Sequence, residues 1–571
     1  IYGKVYYGPY PFEIHENQYT YKRFRKYSRF IPMTAKAFLN LETLFEPSYN
    51  CENWSDRGQL MLRVSMKYIT DDEDLGLGTY DLIVRFKKEN NKFKVMNTVS
   101  EGPFVNLTNS SDPSKITIAF KTTSPVRSYI RLKNGKKTIE AKSGTRHEVV
   151  VANLKPDTLY HYKIGYNDFL SREYSFRTAP EKGKGRVVFA YSGDSREGVG
   201  GGEANFMGMN YMIAERTANL AYRKNADLFI FGGDLMNGNT TSPDDYRTQL
   251  YAFKQAFSGF WHHRPVYACM GNHESLLRTF ENDNGELLRL DRWPYATESS
   301  EAVFADELVL PENGPVPSDP NRPSYKESVY SFQYGPIKFI AFNNNYWIAK
   351  AKSPLWQIPK IFGGCPEGYI MNDQMEWIEK ELEKGEKNPT VKYIILFAQE
   401  PVIPNGGHIQ DCMWYLGNNQ VSAVTYDSKT DKLIPEKEGI IDVRNRLLRL
   451  VGKNRKVAAV LGSDEHSYHK TLIDNSVPVG DPKKDDKEGF NMVCLNDNSC
   501  STLKDLEFPT WYIVSGGSGA PYYSEEPTPW NRYWKKNPQR YKRSQHTSMR
   551  GCYYYSSQEN MMLFTADENK I

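Results

Sequence analysis

Two stretches of the chain decide its fold, A-D-L-F-I-F-G-G-D at residues 226–234 and P-V-Y-A-C-M-G-N-H-E at residues 265–274. In each, a short apolar run gives way to glycine followed by an aspartate or an asparagine. Apolar runs of this length are typical of β-strands that are covered on both faces. The same pattern of an apolar run ending in polar residues recurs in four more places: V-V-F-A-Y-S-G-D at 187–194, I-K-F-I-A-F-N-N-N at 337–345, Y-I-I-L-F-A-Q-E-P at 393–401 and V-A-A-V-L-G-S-D-E-H at 457–466.

Segments with apolar residues at helical spacing lie between these strands, for example at residues 205–225 and 372–383. The alternation of strands and helices predicts an α/β domain. Polar residues that follow successive strands of such a sheet collect along one edge of it. We therefore expect a single site to form where these strands give way to loops.

The residues before this domain have the pattern of β-structure. Residues 60–68 and 80–86 alternate apolar and polar side chains, which predicts strands but indicates no role for residues 1–100. Between residues 102 and 180 several short strands recur at near-regular spacing, as in a β-sandwich. Within this part, L-K-P-D-T-L-Y-H-Y-K-I at residues 154–164 resembles the corner of a fibronectin type III domain.

At 571 residues the chain is too long for one core, because cores stop growing near about 250 to 300 residues. We predict four parts: a β-rich N-terminal region (1–100), an all-β domain (101–180), an α/β domain (187–525) and a C-terminal tail (526–571). The formal charge of +4 is nearly balanced over this length, so no nucleic acid is expected as a structural partner. No run approaches the ~18 consecutive apolar residues of a membrane-spanning helix.

The seven cysteines match no zinc-binding spacing. Cys494 and Cys500 bracket a polar loop, as the two halves of a disulfide would, and one thiol is expected to be left over. The chain begins at Ile1 rather than at a methionine, which suggests removal of a signal peptide. These features predict a protein that is secreted, periplasmic or at the cell surface.

The polar residues after the strands are of the types that hydrolyse phosphoesters. That reaction requires charge neutralisation on the phosphoryl oxygens and activation of water, which two metal ions about 3.5 to 4 Å apart supply together. A single aspartate after a strand is more often a cap or turn residue, but the ordered set found here favours a metal centre. The set comprises Asp194, Asp234, Asn272 with His273, and Asp464 with His466.

The order G-D, G-G-D, G-N-H-E resembles that of the calcineurin-like metallophosphoesterases, and especially of the purple acid phosphatases. The stretches Y-S-F-Q-Y-G-P-I-K-F-I-A-F-N-N-N at residues 330–345 and W-Y-I-V-S-G-G-S-G-A at residues 511–520 are similar to strands of that family. The resemblance extends from residue 102 to about residue 525. It implies a multidomain chain, in which an all-β, fibronectin III-like sandwich precedes an α/β four-layer sandwich with two central sheets.

The resemblance also assigns roles to matching positions. Asp194 would bind a first metal ion, Asp234 would bridge the two ions, and Asn272 would bind the second. His466 would bind the first ion through a neutral imidazole. The implied cofactor is therefore one or two divalent cations, and the implied substrate is a phosphoester.

Three positions depart from the family pattern. Asn237 stands where the purple acid phosphatases have the metal-binding tyrosine, so no purple iron chromophore is expected. Gln399 and Asp464 each stand where the family has a histidine. The second site would then consist of Asp234, Asn272, Gln399 and Asp464, an all-oxygen set that favours Mg, Mn or Ca over Zn. The first site keeps a mixed nitrogen and oxygen set that suits Mn, Fe or Zn.

Two interpretations of function follow. In the first, the chain is a metal-dependent phosphoester hydrolase in which His273 and Arg196 steady the phosphoryl oxygens or the leaving group during in-line attack by water. In the second, the loss of two imidazoles leaves one weakly bound metal or none, and the fold serves as a binding or structural component of an extracellular or surface assembly. Retention of the other site residues favours the enzyme. A homo-oligomer or larger assembly stays open.

Three further features of the sequence bear on the surroundings of the site. Residues 275–330 form a long insertion between two core strands, a place where lids and specificity loops often lie. The Gly-rich stretch at residues 198–203 lacks the G-K-[ST] of a P-loop and is expected to be a loop at the rim of the site. Loop histidines are usually solvated, and no role is assigned to His262, His263 or His408.

Overall fold

A computed structural model describes most of the chain, namely residues 2–10, 25–32, 39–40, 42, 58–69, 74–108, 112–133, 138–140, 142–196, 207–281, 285, 287–351, 362–405, 408–427, 429–486, 499–521, 530–543, 545–548, 552–555 and 560–571. Its strands are β1 Tyr2–Pro9, β2 Arg25–Pro32, β3 Gln59–Ile69, β4 Asp74–Glu89, β5 Lys92–Met96, β6 Val99–Asn106, β7 Ile116–Val126, β8 Ser128–Leu132, β9 Thr138–Glu140, β10 Gly144–Val151, β11 Leu159–Tyr166, β12 Phe169–Leu170, β13 Tyr174–Arg177, β14 Val187–Ser192, β15 Leu228–Phe231, β16 Val266–Ala268, β17 Leu277–Glu281, β18 Leu287–Asp291, β19 Tyr330–Tyr334, β20 Ile337–Ala341, β21 Ala349–Ala351, β22 Tyr393–Phe397, β23 Val424–Asp427, β24 Lys432–Pro435, β25 Val457–Gly462, β26 Tyr468–Ile473, β27 Thr510–Ser515, β28 Tyr541–Arg543, β29 Gln545–Ser548, β30 Cys552–Tyr555 and β31 Met562–Ala566. Its helices are α1 Tyr211–Arg223, α2 Pro243–Trp261, α3 Tyr295–Glu298, α4 Ser300–Glu307, α5 Asn372–Lys387, α6 Ile440–Gly452, α7 Pro482–Asp485 and α8 Asn531–Lys536.

The first five strands form an antiparallel sheet in the order β2-β1-β3-β4-β5. The two alternating runs that predicted strands in this region lie within β3 and β4, and that prediction is confirmed. The Tyr251 hydroxyl of α2 donates a hydrogen bond of 2.6 Å to the backbone carbonyl of Asp81 on β4. The N-terminal sheet therefore lies against the α/β domain.

A β-sandwich follows this sheet. One of its sheets has the order β10-β7-β6, and the other has the order β12-β11-β8-β9 with β13 paired to β11. Tyr160, Tyr162 and Ile164 of β11 alternate with more exposed side chains and are buried in the core of the sandwich. The Tyr160 hydroxyl accepts a hydrogen bond of 2.9 Å from the Lys155 amide, which pins the predicted corner before β11. The expected all-β domain is confirmed, whereas its likeness to fibronectin type III stays a prediction.

The α/β domain holds two central sheets. The first has the order β16-β15-β14-β31, and its strands β14, β15 and β16 are parallel. The second has the order β19-β20-β22-β25-β27-β26-β28, with β20, β22, β25 and β27 parallel at its centre. The predicted α/β domain with two central sheets is confirmed.

The two sheets pack against each other through aromatic side chains. Phe189 of β14 contacts Phe339 of β20 edge to face, with ring centroids 5.2 Å apart. Phe339 and Ala341 belong to the core that β14 shares, whereas Ile340 belongs to a second core with α5 and α6. This division arises because successive residues of a strand point to opposite faces. With α1 and α2 packed in the first core and α5 and α6 in the second, the domain has four layers.

The start of α2 follows from its local sequence. Ser242 caps the helix by accepting a hydrogen bond from the Asp245 amide, and Pro243 occupies the first helical position. Asp244 and Asp245 lie in the first turn, where negative charge is favoured by the helix dipole. The helices predicted at residues 205–225 and 372–383 correspond to α1 and α5.

The region predicted to be a C-terminal tail contributes to both central sheets. β31 pairs antiparallel with β14, and β28 pairs with β26 at the edge of the second sheet. Phe564 of β31 stacks on Phe189, with ring centroids 4.6 Å apart. The sequence did not reveal this arrangement, because a short run such as M-L-F-T-A carries no motif that names its partner strand.

A buried group of charges joins the sandwich to the α/β domain. The side chain of Lys254 on α2 is 2% exposed, and its ammonium lies 2.5 Å from Glu101 of β6 and 2.8 Å from Glu307 of α4. Lys121 of β7 reaches the Glu307 carboxylate at 2.7 Å. Burial opposes ionisation of Glu307, but the two lysines outweigh it and lower the pKa of this carboxyl to about 2.

No helix among the described residues is both long and apolar enough to cross a membrane.

Cys269, Cys365 and Cys412 are buried free thiols, so the expectation of a single thiol left over is wrong. Cys500 is disulfide-bonded. Its predicted partner, Cys494, lies outside the described residues, and the pairing stays a prediction.

Glu327 gives the fold a measurable pH dependence. Its carboxyl is buried and accepts a hydrogen bond of 2.7 Å from the Leu310 amide, and burial raises its pKa from 4.5 to about 8. Because the folded pKa lies above the unfolded one, the folded state binds this proton more tightly, and the free energy of unfolding falls as pH rises from about 4.5 to about 8. We expect Glu327→Gln, which is neutral at every pH, to be more stable than the wild type by about 3 to 5 kcal/mol above pH 8 and equally stable near pH 4.

Chemical denaturation at the two pH values measures this difference. Glu312→Gln changes a glutamate on the surface nearby, with 58% of its side chain exposed, and should leave stability unchanged at both values. A Glu327→Gln protein that loses the same stability at both pH values would show that the carboxyl is not protonated in the fold.

Candidate metal centre

The residues that the sequence predicted for the site lie in loops that follow parallel strands of both sheets. The structure brings the loops after β14, β15, β16, β22 and β25 together at one edge. They carry Asp194 after β14, Asp234 after β15, Asn272 and His273 after β16, Gln399 after β22, and Asp464 and His466 after β25.

All three aspartates of the predicted site have a left-handed backbone, with φ of 60° at Asp194, 52° at Asp234 and 62° at Asp464. Such values are uncommon outside glycine and cluster at functional sites. The turns after β14 and β15 support each other, because the Asp194 amide donates to the Gly233 carbonyl at 3.0 Å and the Ser195 amide donates to the Asp234 carbonyl at 2.9 Å. The loops therefore hold the carboxylates by backbone bonds that no metal ion is needed to form.

Asp194, Asp234 and His466 converge on one point. All three are buried, and one potential ligand atom from each lies within 4.8 Å of the other two. His466 Nδ1 donates a hydrogen bond of 2.6 Å to the Pro521 carbonyl. This bond fixes the tautomer, so that Nε2, which lies 3.8 Å from Asp194 Oδ1, presents a lone pair, as in many metal-binding histidines.

The charges at this point are unfavourable without a cation. Burial raises the pKa of Asp194 well above its usual range, and the neighbouring Asp234 and Asp464 raise it further. Burial also raises the pKa of Asp234 to about 7, although the positive charge of Arg196 opposes the rise. Crowded, buried carboxylates are stabilised by a bound cation, so the residues present fit a divalent metal ion.

The predicted second set of ligands is arranged differently. Asn272 Oδ1 and Asp234 Oδ2 are buried and accept no hydrogen bond from any described residue, as expected of atoms that bind a metal ion. Gln399, in contrast, donates its Nε2 to Asp464 Oδ1 at 2.8 Å and accepts at Oε1 from Asn345 Nδ2 at 2.6 Å. As it stands, Gln399 therefore turns a nitrogen rather than an oxygen to Asp464.

Arg196 and His273 lie beside these carboxylates. Arg196 Nε is 3.5 Å from Asp234 Oδ2. His273 Nδ1 donates a hydrogen bond of 2.6 Å to the Asn237 carbonyl. Burial lowers the pKa of His273 well below its usual range, and the charges of Arg196 and Lys350 lower it further, so the ring is neutral at neutral pH.

Two parts of the chain match known protein families. Residues 95–178 match the N-terminal domain of purple acid phosphatases, and residues 209–468 match the calcineurin-like phosphoesterases. The α/β domain is therefore similar to the calcineurin-like phosphoesterases, and the sandwich before it is similar to the N-terminal domain of purple acid phosphatases. The family resemblance of the G-D, G-G-D, G-N-H-E order is thereby confirmed.

Individual proteins are also similar to this chain. The probable purple acid phosphatase 20 of Arabidopsis thaliana is 32% identical over 133 residues, which make up 23% of this chain and 26% of that protein. The match therefore spans about a quarter of that relative's length. Among solved structures, the purple acid phosphatase PPD1 from yellow lupin (Lupinus luteus) seeds is 14% identical, with 89% of each chain covered and a TM-score of 0.49. The structure of PhoD is 12% identical, with 81% of this chain and 84% of that chain covered and a TM-score of 0.48.

Sequence reasoning missed Glu274, which ties together two loops of the candidate site. Its buried carboxylate accepts hydrogen bonds of 2.7 to 2.9 Å from the amides of Asp234, Leu235 and Gly271. The turn after β15 is thus tied to the turn after β16. The signal was present in the G-N-H-E motif, whose last residue directly follows the two predicted site residues.

Lys350 was missed as well. It lies on β21, which pairs with β18 of the long insertion at residues 275–330. Its ammonium is 3.1 Å from the Asn272 carbonyl and 2.5 Å from the Glu367 carboxylate. The insertion thus borders on the site through this small sheet, and its role as a lid or specificity loop stays a prediction. The predicted rim loop at residues 198–203 lies outside the described residues.

Proposed function

We propose that this protein hydrolyses phosphoesters at the centre formed by Asp194, Asp234 and His466. The observation that carries the proposal is the convergence of two buried carboxylates and an imidazole beside Arg196 and His273. A fold kept only as a scaffold gains nothing from such crowding, since buried like charges destabilise it. The family match supports the reaction class.

Asp194, Asp234 and His466 would hold a first divalent cation, and their mixed nitrogen and oxygen donors suit Mn, Fe or Zn. Bound cations would supply charge neutralisation at the phosphoryl oxygens and a lower pKa for water. Asp234 would be shared with a second cation of the Mg, Mn or Ca type, whose other ligands would be Asn272, Gln399 and Asp464.

To form the second site, the side-chain amides of Gln399 and Asn345 must both turn over, so that the oxygen and nitrogen of each amide exchange places. Asn345 Oδ1 is buried and accepts no hydrogen bond among the described residues, so after reversal it can accept one from Gln399. The bond between the two amides is therefore kept. Gln399 Oε1 then faces Asp464, and two facing oxygens need a cation between them.

Arg196 and His273 would act on the ester itself. The guanidinium of Arg196 can bind two phosphoryl oxygens and place the ester next to Asp234. His273 is held by its Nδ1 bond to the Asn237 carbonyl, which leaves Nε2 for proton exchange. A bound dianionic ester would raise the pKa of His273, so that the ring can take up a proton and pass it to the leaving-group oxygen.

The bond between Gln399 and Asp464 favours a second candidate function. This hydrogen bond joins the two side chains that stand where the purple acid phosphatases have histidines. It forms between the side chains directly, so no cation is needed to keep them in place. If the second site stays closed, the chain would serve as a binding or structural component of an extracellular or surface assembly. A secreted, periplasmic or surface location is proposed with either function, and the disulfide of Cys500 supports it.

Metal analysis together with an activity assay distinguishes the two functions. The protein is stripped with a chelator, reloaded with Mn, Mg, Zn or Ca, and assayed on p-nitrophenyl mono- and diesters, with the stripped protein as the control. We expect at least two equivalents of metal and turnover that returns only on reloading. One equivalent or none, with no turnover for any ion, would overturn the hydrolase and leave the second function.

A further inference from the structure

A second cluster of ligand-type side chains adjoins the site. His408, Cys412 and Asp464 each place one potential ligand atom within 4.8 Å of the other two. Asp464 Oδ2 lies 3.1 Å from His408 Nδ1 and 3.3 Å from Cys412 Sγ. Cys412 and Asp464 are buried, and His408 is 22% exposed at its side chain, so that the cluster is open to solvent on one side.

These distances fit the edges of a zinc coordination tetrahedron. Zinc bonds of about 2.0 Å to nitrogen or oxygen and about 2.3 Å to sulfur place nitrogen about 3.3 Å from oxygen, and sulfur about 3.5 Å from oxygen. The observed separations are within 0.2 Å of these values, and the donor set of imidazole, thiolate and carboxylate suits a borderline-soft cation. We propose that His408, Cys412 and Asp464 form a separate binding site for zinc or a cation of its class.

Glu400 supplies an independent observation. It is 2% exposed, and its Oε1 accepts no hydrogen bond from any described residue. The side chain lies next to Cys412, to which it is hydrogen-bonded, and within the electrostatic reach of Asp464. A buried carboxylate oxygen without a donor is unfavourable unless a cation or proton satisfies it. Glu400 is therefore a buried carboxylate beside the site whose unsatisfied oxygen favours a cation there.

The backbone holds Cys412 in this position. Its φ is 51°, a left-handed value that non-glycine residues seldom adopt. Gly368 packs so closely on Cys412 that a Cβ at residue 368 would lie 1.9 Å from the Cys412 carbonyl oxygen. The thiol is thus directed by the fold, and a strained backbone at a ligand position is typical of functional sites.

The proposed site is distinct from the centre of Asp194, Asp234 and His466. The two oxygens of Asp464 serve different neighbours, because Oδ1 accepts from Gln399 while Oδ2 faces His408 and Cys412. The site therefore needs neither hydrolytic activity nor an occupied first site. On binding, the cation displaces the thiol proton of Cys412 to solvent and takes up the thiolate.

Cobalt titration of the metal-stripped protein tests the proposal, since a cobalt–thiolate bond gives a near-ultraviolet charge-transfer band. The wild type is expected to show this band, and Cys412→Ser is expected to lose it together with one equivalent of tightly bound zinc. Cys365→Ser removes a different buried free thiol and should keep the band. Asp234→Asn disrupts the first centre and should also keep it, which separates this site from the proposed hydrolase.

X-ray absorption of the zinc-loaded wild type gives a second measurement that needs no variant. A sulfur neighbour at about 2.3 Å from zinc is expected. Absence of both the cobalt band and the sulfur neighbour in the wild type, or survival of the band in Cys412→Ser, would overturn the proposal. In that case, the three side chains form a hydrogen-bonded cluster in which Asp464 accepts from both His408 and Cys412.

Discussion

Replacing His273 by alanine is expected to lower kcat for phosphoester hydrolysis by about 10²- to 10⁴-fold, the range that a positioned proton donor contributes. The ring is held by the Asn237 carbonyl and lies close to the charges of Arg196 and Lys350. Since His273 is not among the converging carboxylate and imidazole ligands, the amount of metal bound at Asp194, Asp234 and His466 should not change. Steady-state kinetics and metal analysis on the same preparation measure both effects.

The pH profile of this variant adds a readout that misfolding would not produce. In the wild type, the proton on His273 is lost as pH rises, so kcat should fall on the alkaline side, and this limb should be absent in His273→Ala. His161→Ala makes the same chemical change on β11 of the sandwich and should leave kcat unaltered. Full activity of His273→Ala would remove this residue from the reaction.

Replacing Lys254 by methionine is expected to lower the free energy of unfolding by about 3 to 5 kcal/mol, because a buried ion pair that loses one partner leaves an uncompensated charge. Glu101 and Glu307 would then share the ammonium of Lys121, and Glu307 would keep the guanidinium of Arg247 at 3.3 Å. Both carboxylates lie at the boundary between the sandwich and the α/β domain, so the loss should appear in the transition that separates these domains. Urea unfolding measures it.

Lys384→Met is the matched control for this change. Lys384 pairs with Glu381 at 2.7 Å, but its side chain is 70% exposed, and Lys338 contacts the same carboxylate. Its loss should alter stability by no more than about 0.5 kcal/mol. Adding Glu101→Gln to Lys254→Met should restore part of the lost stability, since it removes the excess charge. A Lys254→Met protein as stable as the wild type would show that these charges do not hold the domains together.

The parts of the fold that the sequence predicted are those with local signals. The apolar runs ending at Asp194, Asp234 and Asp464 proved to be parallel strands, because a strand buried on both faces needs an uninterrupted apolar run. The alternating pattern before residue 164 likewise marked the sandwich. The pairing of β31 with β14 could not be predicted, because partner choice depends on which edge the rest of the chain leaves open.

In the candidate site, too, the residues with local sequence motifs could be predicted, whereas contacts between distant parts of the chain could not. The identities of Asp194, Asp234 and His466 could be anticipated, since each lies in a short motif at a strand end. The bond of Gln399 to Asp464 could not, because it depends on which way an amide group is turned. The meeting of Cys412 with Asp464 joins positions far apart in the chain, and its formation depends on a left-handed turn that no local pattern announces.

The position of β31 has a consequence for how the protein is made. β14 leads into the first aspartate of the centre, yet β31, which covers its outer edge, is synthesised only after the other described strands of both central sheets. Until then β14 is an exposed edge that can pair with another nascent chain. Expression that stops short of residue 566 should therefore yield aggregates, and a molecular chaperone that shields this edge should raise the yield of the full chain.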